Sequence, residues 1–277
     1  MRAGLIQLTS SDDPAANLQV TRRYIAEAAA LGADIVLTPE VTNCVSMSRD
    51  RQNDVLSREA DDRTLAALRA DAALLKVWIL IGSLALRTGD PDGRFANRSF
   101  LIAPDGSVAA RYDKIHMFDV TISDAESYAE SKGYRPGTKA VLADTPMGRI
   151  GLTICYDMRF AGLYRALAQA GAQIITVPSA FSPVTGPAHW EVLLRARAIE
   201  TGSFIFAPAQ CGTHTASAGK PRRTWGHSLA VDPWGRVLAD GNDASGITMV
   251  DFDLAEVEVA RRKIPSLMHD REYAGPQ

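Results

Sequence analysis

The sequence predicts an α/β fold, and more narrowly a four-layer α-β-β-α sandwich with internal pseudo-symmetry. Two observations carry that prediction. Apolar runs of strand length alternate with stretches whose apolar residues recur at helical spacing, the pattern of strands joined by packed helices. The same plan is also written twice. Arg2–Leu5 (RAGL) is echoed by Arg149–Leu152 (RIGL), Gly32–Glu40 (GADIVLTPE) by Gly171–Ser179 (GAQIITVPS), and Ser99–Ala110 (SFLIAPDGSVAA) by Ser228–Ala239 (SLAVDPWGRVLA). Each half reads strand, helix, strand, helix, strand and hairpin, which is a sheet with helices on one face. Two such halves bury their uncovered sheet faces against each other, so residues 1–277 are expected to form one domain.

The elements follow in order. MRAGLIQL has too short an apolar run for a signal peptide and reads as the first strand. Asp13–Pro14 supplies an N-cap and a first-turn proline, Leu18, Thr21, Ile25 and Ala28 form a stripe, and Gly32 stops the helix. A second helix follows Asp61–Asp62 and carries Leu65, Leu68, Ala72 and Leu75. The two echoed hairpins turn at PDG and DPWG. Between the halves, residues 115–146 break the repeat with the polar run TISDAESYAESKGYRPG, and an insertion at that place reads as functional. In the second half Leu163, Ala166, Leu167 and Ala170 mark one helix face. Trp190, Leu193, Arg197 and Glu200 mark another after Gly186–Pro187.

Composition narrows the function. With 46% hydrophobic and 22% charged residues among 277, the chain can build a large core and is not disordered. A net charge of −2, with basic residues only in short runs such as Arg222–Arg223, argues against a nucleic-acid partner. No run approaches a membrane span, so no membrane partner is expected. Three widely spaced cysteines, Cys44, Cys155 and Cys211, suggest free thiols in a reducing, cytoplasmic compartment. His116, His189, His214, His227 and His269 lack metal-ligand spacing, and neither GxxxxGK[ST] nor GxGxxG occurs, so neither metal nor cofactor is expected.

Three residues could carry chemistry. In Gly151–Phe160 (GLTICYDMRF) an apolar strand runs into Cys155 with a helix starting just behind it, which places the thiol as a nucleophile facing backbone N–H groups. Glu40 follows Pro39 at the carboxyl end of an apolar strand, where α/β sheets bind ligands. It reads as a general base whose pKa is raised by partial burial. Lys114, in RYDKIHMFD after a hairpin strand, offers a fixed positive charge to an oxyanion. A histidine meeting Cys155 in space remains an alternative base.

Together these residues identify a resemblance. Pro39–Glu40 after its strand, Asp113–Lys114 followed by IHMFD, and ICYDMRF around Cys155 resemble the Glu–Lys–Cys motifs of the nitrilase superfamily, the carbon–nitrogen hydrolases. The resemblance runs nearly end to end and includes the four-layer sandwich. It implies that Glu40 takes the Cys155 proton, that the thiolate attacks an amide carbon, and that Lys114 and the Tyr156 N–H hold the oxyanion. Water then hydrolyses the thioester. It also implies a second glutamate in the insertion, where Glu130 matches better than Glu126.

TGPAHWEVLLRARAIET and AQCGTH look like the branch that holds deaminated-glutathione amidases and ω-amidases, with the former favoured. Their substrates carry a short 2-oxo acid beside the amide, so Arg159 is expected as a carboxylate clamp and Phe181 and Thr185 as pocket walls. Other amidases or carbamoylases of the superfamily, and a catalytically silent scaffold, are the competing readings. One departure is visible: Ala161 stands where many members have proline. The tail IPSLMHDREY, beginning near residue 262, is of a kind that crosses to a partner subunit in this superfamily, which implies a homodimer or higher homo-oligomer.

Overall fold

The computed structural model describes residues 1–123 and 126–276. The first half runs β1 (Arg2–Gln7), α1 (Pro14–Ala30), β2 (Ile35–Leu37), α2 (Arg49–Val55), α3 (Arg63–Leu75), β3 (Trp78–Arg87), β4 (Phe95–Ile102) and β5 (Val108–Asp113). The insertion supplies β6 (Asp119–Ser123), β7 (Glu126–Ala129) and β8 (Val141–Thr145). The second half follows as β9 (Gly148–Leu152), α4 (Ala161–Gln169), β10 (Ile174–Thr176), α5 (Gly186–Thr201), β11 (Phe204–Ala207), β12 (Cys211–His214), β13 (Arg222–Trp225), β14 (Leu229–Val231) and β15 (Val237–Asp240). The chain then adds β16 (Gly246–Asp251) and α6 (Ala255–Lys263).

These strands form two six-stranded sheets, ordered β16-β1-β2-β3-β4-β5 and β15-β14-β11-β10-β9-β8. In each half the three repeat strands are parallel and the hairpin strands antiparallel, so the pseudo-symmetry read from the sequence holds strand for strand. Two edge strands go beyond the repeat: β16 joins β1 and β8 joins β9, both antiparallel. A ribbon, β12–β13, also interrupts the second half between β11 and β14.

The layers follow from side-chain alternation. On β2, Ile35 and Leu37 enter the core between the sheets, while Val36 joins Ile25, Ala28, Leu68 and Ala72 beneath α1 and α3. Burial on both faces is why this strand reads as an unbroken apolar run. Tyr164 and Leu167 of α4, and Trp190, Leu194 and Ala198 of α5, join the core from the second sheet's side, which completes the α-β-β-α order. The glycine shared by RAGL and RIGL sets helix–sheet spacing in both halves. A methyl on Gly4 would stand 3.0 Å from Ala28 Cβ of α1, and one on Gly151 would stand 3.3 Å from Leu167 Cδ1 of α4.

Helix starts agree with their caps. Asp13 accepts from Ala15 N at 2.9 Å, and Asp62 accepts from Leu65 N at 2.8 Å. The apolar face of α4 is rotated from the expected one. Tyr164, Leu167 and Ala168 are buried, whereas Ala166 and Ala170 are exposed. The tyrosine decides this, because its hydroxyl reaches Thr153 Oγ1 at 2.8 Å and its ring lies under Arg197. Among the described residues no helix is long and apolar enough to cross a membrane.

His214 ties the ribbon to the end of the first sheet. Its Nδ1 lies 2.7 Å from the Ser10 carbonyl and its Nε2 lies 2.7 Å from Thr224 Oγ1. Burial lowers its pKa from 6.5 to about 4, so it is neutral at pH 7. Between those values the unfolded chain binds the extra proton and the folded chain does not, so stability falls as pH drops. The loss amounts to about 3 kcal/mol at 1.36 kcal/mol per unit. Urea titrations of wild type and His214→Gln across this range should show the wild-type slope flattened in the variant. Parallel curves would mean that the histidine does not titrate as described.

Candidate active site

Glu40 is positioned by the tight approach of β2's exit to β3. Thr38 N donates to Leu80 O at 2.9 Å, Ser83 N donates to Pro39 O at 3.2 Å, and Val41 N donates to Ser83 Oγ at 2.8 Å. Only glycine fits at position 82: a Cβ there would sit 1.9 Å from Thr38 O and 2.5 Å from both Pro39 O and Pro178 Cβ. Lys114 is placed by one further pairing beyond β5, its N–H donating to Asn97 O at 3.0 Å. Glu130 opens the short 3-10 turn after β7.

Cys155 begins a 3-10 turn after β9 and has φ +47°, a left-handed conformation that a side-chain-bearing residue adopts only when its surroundings hold it there. The buried Asp157 carboxylate supplies much of that hold. Its Oδ2 accepts from Ile154 N at 2.9 Å and Tyr112 OH at 2.7 Å. Its Oδ1 accepts from His116 N at 3.0 Å and lies 2.7 Å from His116 Nδ1. One side chain thus ties the cysteine turn to the strand and loop that flank Lys114. The N–H groups of Cys155 and Asp157 are taken by Pro178 O and Ile154 O, with Tyr156 between them.

The ionic groups converge. Lys114 Nζ lies 2.9 Å from Glu40 Oε1, and 3.0 and 2.8 Å from the two oxygens of Glu130. Asn97 Nδ2 donates to Glu40 Oε1 at 2.8 Å, and Ala180 N donates to Glu40 Oε2 at 2.8 Å. Phe118 N donates to Glu130 Oε2 at 2.7 Å.

Electrostatics correct one expectation. Burial alone raises the Glu40 pKa, but the Lys114 charge and hydrogen bond, then Arg222 and Asn97, outweigh it and hold Glu40 below 4.5. Lys114 is pulled down by burial and up by Glu130 and Glu40, with the net well above 10.5. The Cys155 thiol is pushed up to about 12, first by burial and then by the Glu40 carboxylate it hydrogen-bonds. The resting site therefore holds a thiol, a carboxylate and an ammonium.

A cavity of about 240 Å³ opens over these groups. Glu40, Lys114, Cys155, Glu130, Tyr156, Phe181 and Thr185 all line it. Arg159 does not. The turn's winding carries its guanidinium onto the Tyr156 and Phe181 rings, 5.7 and 5.8 Å from their centroids, and its Nη2 lies 3.1 Å from His189 Nδ1. The side chain of Glu126 lies outside the described residues.

Among the described residues no histidine lines the cavity, which removes the Cys–His pairing, and no His/Cys/Asp/Glu group could hold a metal ion. The sequence reading missed Asn97, Tyr134 and Arg222, which also line it, as does Cys44. For Arg222 a signal was available: in a strand, Arg222 and Thr224 share a face opposite Arg223.

Gly82→Ala should lower the urea midpoint by an amount matching overpacking, about 1–3 kcal/mol or more. An unchanged midpoint would mean that the Thr38–Pro39 segment has slack that the structure denies.

Comparison with known proteins shows the family. Residues 2–262 match the carbon-nitrogen hydrolase family. The chain is 41% identical to deaminated glutathione amidase of Yersinia enterocolitica, over 96% of this chain and 92% of that protein. It is 39% identical to the Homo sapiens deaminated glutathione amidase, over 96% and 80% of the two chains. Among solved structures, the C. elegans NitFhit protein superposes with a TM-score of 0.89 at 35% identity, covering 98% of this chain and 65% of that one. Saccharomyces cerevisiae Nit3, a nitrilase-superfamily member, gives 0.84 at 28% identity over 98% and 96%. A variant of the Nesterenkonia sp. AN1 amidase, with acrylamide added to its active-site cysteine, gives 0.77 at 25% identity over 96% and 98%.

Proposed function

The chain belongs to the carbon-nitrogen hydrolase family, and from that premise we propose that it hydrolyses deaminated glutathione to 2-oxoglutarate and Cys-Gly through a thioester on Cys155. The observation that carries this reading is the convergence of Glu40, Lys114 and the strained Cys155 on one cavity.

Cys155 Sγ bonds to the amide carbon as its proton passes to Glu40. With the thiol near 12 and Glu40 below 4.5, that transfer runs uphill in the resting site, so it accompanies C–S bond formation. Lys114 Nζ and the Tyr156 N–H stabilise the oxyanion. Protonating Glu40 removes one negative charge beside Lys114 as the oxyanion adds one, so the ammonium keeps its balance. The C–N bond then breaks and Glu40 gives its proton to the departing amine. Water attacks the thioester as Glu40 takes one of its protons, and collapse breaks the C–S bond, returns that proton to sulfur and releases the carboxylic acid, which ionises in water.

Glu130 holds Lys114 and the Phe118 N–H in place and acts as a positioning residue. Phe181 and Thr185 form pocket wall. The reading extends to a cytoplasmic, single-domain homodimer or higher oligomer acting on a small-molecule amide. Val192 and Ile199 of α5 and nearby Trp234, 65%, 55% and 52% exposed, support an apolar contact face.

Two outcomes test the mechanism. Cys155→Ala should lose turnover by at least about 10⁴-fold and show no acyl-enzyme mass, with an unchanged circular dichroism spectrum. Wild-type kcat/KM should stay flat from about pH 5 to about pH 8, because the required Glu40 carboxylate persists on the acid side and Lys114 stays charged on the alkaline side. An acid limb near pH 6 would overturn the assignment of Glu40. Following 2-oxoglutarate release from deaminated glutathione beside 2-oxoglutaramate identifies the substrate. Higher kcat/KM on the second would make the enzyme an ω-amidase.

A further inference from the structure

Asn97, on β4, serves this site twice. Its backbone carbonyl accepts the Lys114 N–H at 3.0 Å. Its side-chain Nδ2 reaches two carboxylates, Glu40 Oε1 at 2.8 Å and Glu130 Oε1 at 3.3 Å. Lys114 Nζ bridges the same two oxygens at 2.9 and 3.0 Å. The four groups close a ring in which two donors alternate with two acceptors. Charge decides which end of the amide faces the ring, because an amide oxygen turned toward two carboxylates would be repelled by both. The other end is left over: Asn97 Oδ1 is buried and has no hydrogen-bond partner among the described residues. A buried acceptor without a partner costs free energy, so the ring is kept against that cost.

Counting donors separates the four carboxylate oxygens. Each offers two lone pairs. Glu40 Oε1 and Glu130 Oε1 each meet both Asn97 Nδ2 and Lys114 Nζ. Glu130 Oε2 meets Lys114 Nζ at 2.8 Å and the Phe118 N–H at 2.7 Å. Glu40 Oε2 meets one backbone donor among the described residues, the Ala180 N–H at 2.8 Å. A proton on Glu40 Oε1 would point at N–H groups that already donate there. A proton on Oε2 leaves every one of these bonds intact, since a protonated oxygen still accepts.

We propose that Asn97 is a positioning residue for proton transfer: by occupying Glu40 Oε1, it directs the Cys155 proton onto Oε2. The proton leaves Sγ as the C–S bond forms, rests on Oε2, and passes to the departing amine as the C–N bond breaks. The proposal rests on the amidase reading above and deepens it. The charged and titratable groups facing Glu40 are Lys114 from the end of β5, Glu130 and Tyr134 from the insertion, Cys155 from the turn after β9, and Arg222 from the ribbon. Cys44 lines the same cavity. Asn97 carries no charge, so replacing it by alanine removes a donor and leaves the ionic balance unaltered. Its hydrogen bond also helps to hold Glu40 below 4.5, so its loss makes Glu40 easier to protonate.

The test measures kcat/KM for 2-oxoglutarate release from deaminated glutathione and from 2-oxoglutaramate at pH 7.5 and pH 5.0. It uses wild type, Asn97→Ala and Asn97→Asp, each checked for a native melting curve at both pH values. The ionisation of the substrate cancels in the ratio of variant to wild type. Wild type should change by less than about twofold between the two pH values. Asn97→Ala should be about tenfold slower at pH 7.5, because a loosened carboxylate meets the thiol in fewer productive orientations. At pH 5.0 it should lose about threefold more, as Glu40 takes up a proton before the thiol can deliver one. Asn97→Asp keeps the shape and adds a third carboxylate, so its loss between the two pH values should exceed that of Asn97→Ala. If Asn97→Asp does not fold, Asn97→Ala alone decides. A loss in Asn97→Ala that is equal at both pH values would show a merely structural role and overturn the proposal. Wild-type rates in either variant would overturn it too. Wild type inactive on both amides would sink the amidase reading and this proposal with it, an outcome distinct from a flat variant profile beside an active wild type.

Discussion

One ammonium, Lys114 Nζ, held within 3 Å of two carboxylates in a buried pocket, is the constraint on which the rest of the structure depends. Burying a charge costs several kcal/mol unless it is paired and hydrogen-bonded, and removing one partner from such a group costs about 3–5 kcal/mol. Here the partners come from separate parts of the chain: Glu40 from the exit of β2, Lys114 from the end of β5 and Glu130 from the insertion. The peptide N–H groups of Ala180 and Phe118 satisfy further carboxylate oxygens. The insertion is thus part of the ionic balance that allows Lys114 to be buried at all. The same balance leaves Lys114 charged and Cys155 protonated at rest, the state from which the proposed reaction begins.

The fold was legible wherever geometry leaves a residue no choice. RAGL and RIGL repeat because a helix must settle against Gly4 and Gly151. The apolar runs repeat because β2 and β10 are buried on both faces, and the PDG and DPWG turns repeat because hairpins need them. Strands β8 and β16 were illegible because edge strands are only half buried, so VLADT and GITMVD mix polar and apolar residues without a clean period. The α4 face was misread for a related reason. Counting alanines as apolar gave Ala166 and Ala170 the weight that the Tyr164 ring and hydroxyl actually carry.

The site divides in the same way. The positions of Glu40, Lys114 and Cys155 could be read because each follows a strand of obvious type. Glu40's electrostatics could not be read, because burial alone points upward and the groups that reverse it sit at positions 97, 114 and 222. Arg159, four residues past the thiol, stands at the end of the 3-10 turn, and its guanidinium lies against the Tyr156 and Phe181 rings rather than among the residues lining the cavity. The Arg222–Arg223 doublet entered the sequence reading only as basic charge, and one of its two residues is indeed exposed. Only its register within β13 separates the inward residue from the exposed one.

The pseudo-symmetry also explains why this fold builds one such constellation and not two. Aligning RAGL with RIGL sets Leu8 opposite Cys155, and aligning the second strands sets Ser179 opposite Glu40. Leu8 is 2% exposed and Ser179 is fully buried, its hydroxyl donating to Val177 O at 2.9 Å. At 179 a short hydroxyl turns back on its own strand where the other half has a carboxylate, and at 8 a buried leucine fills the place of the thiol. Pro178, the echo of Pro39, nevertheless has a geometric task in this site. Pro178 O accepts the N–H of Cys155, while Pro178 Cβ presses against Gly82, which lets Pro39 and Glu40 approach. The second copy of the strand end has therefore become the support against which the first is aligned. The chemistry is confined to one side because only that side has the insertion and the ribbon, which bring Glu130 and Arg222 to a charge that neither half could bury alone.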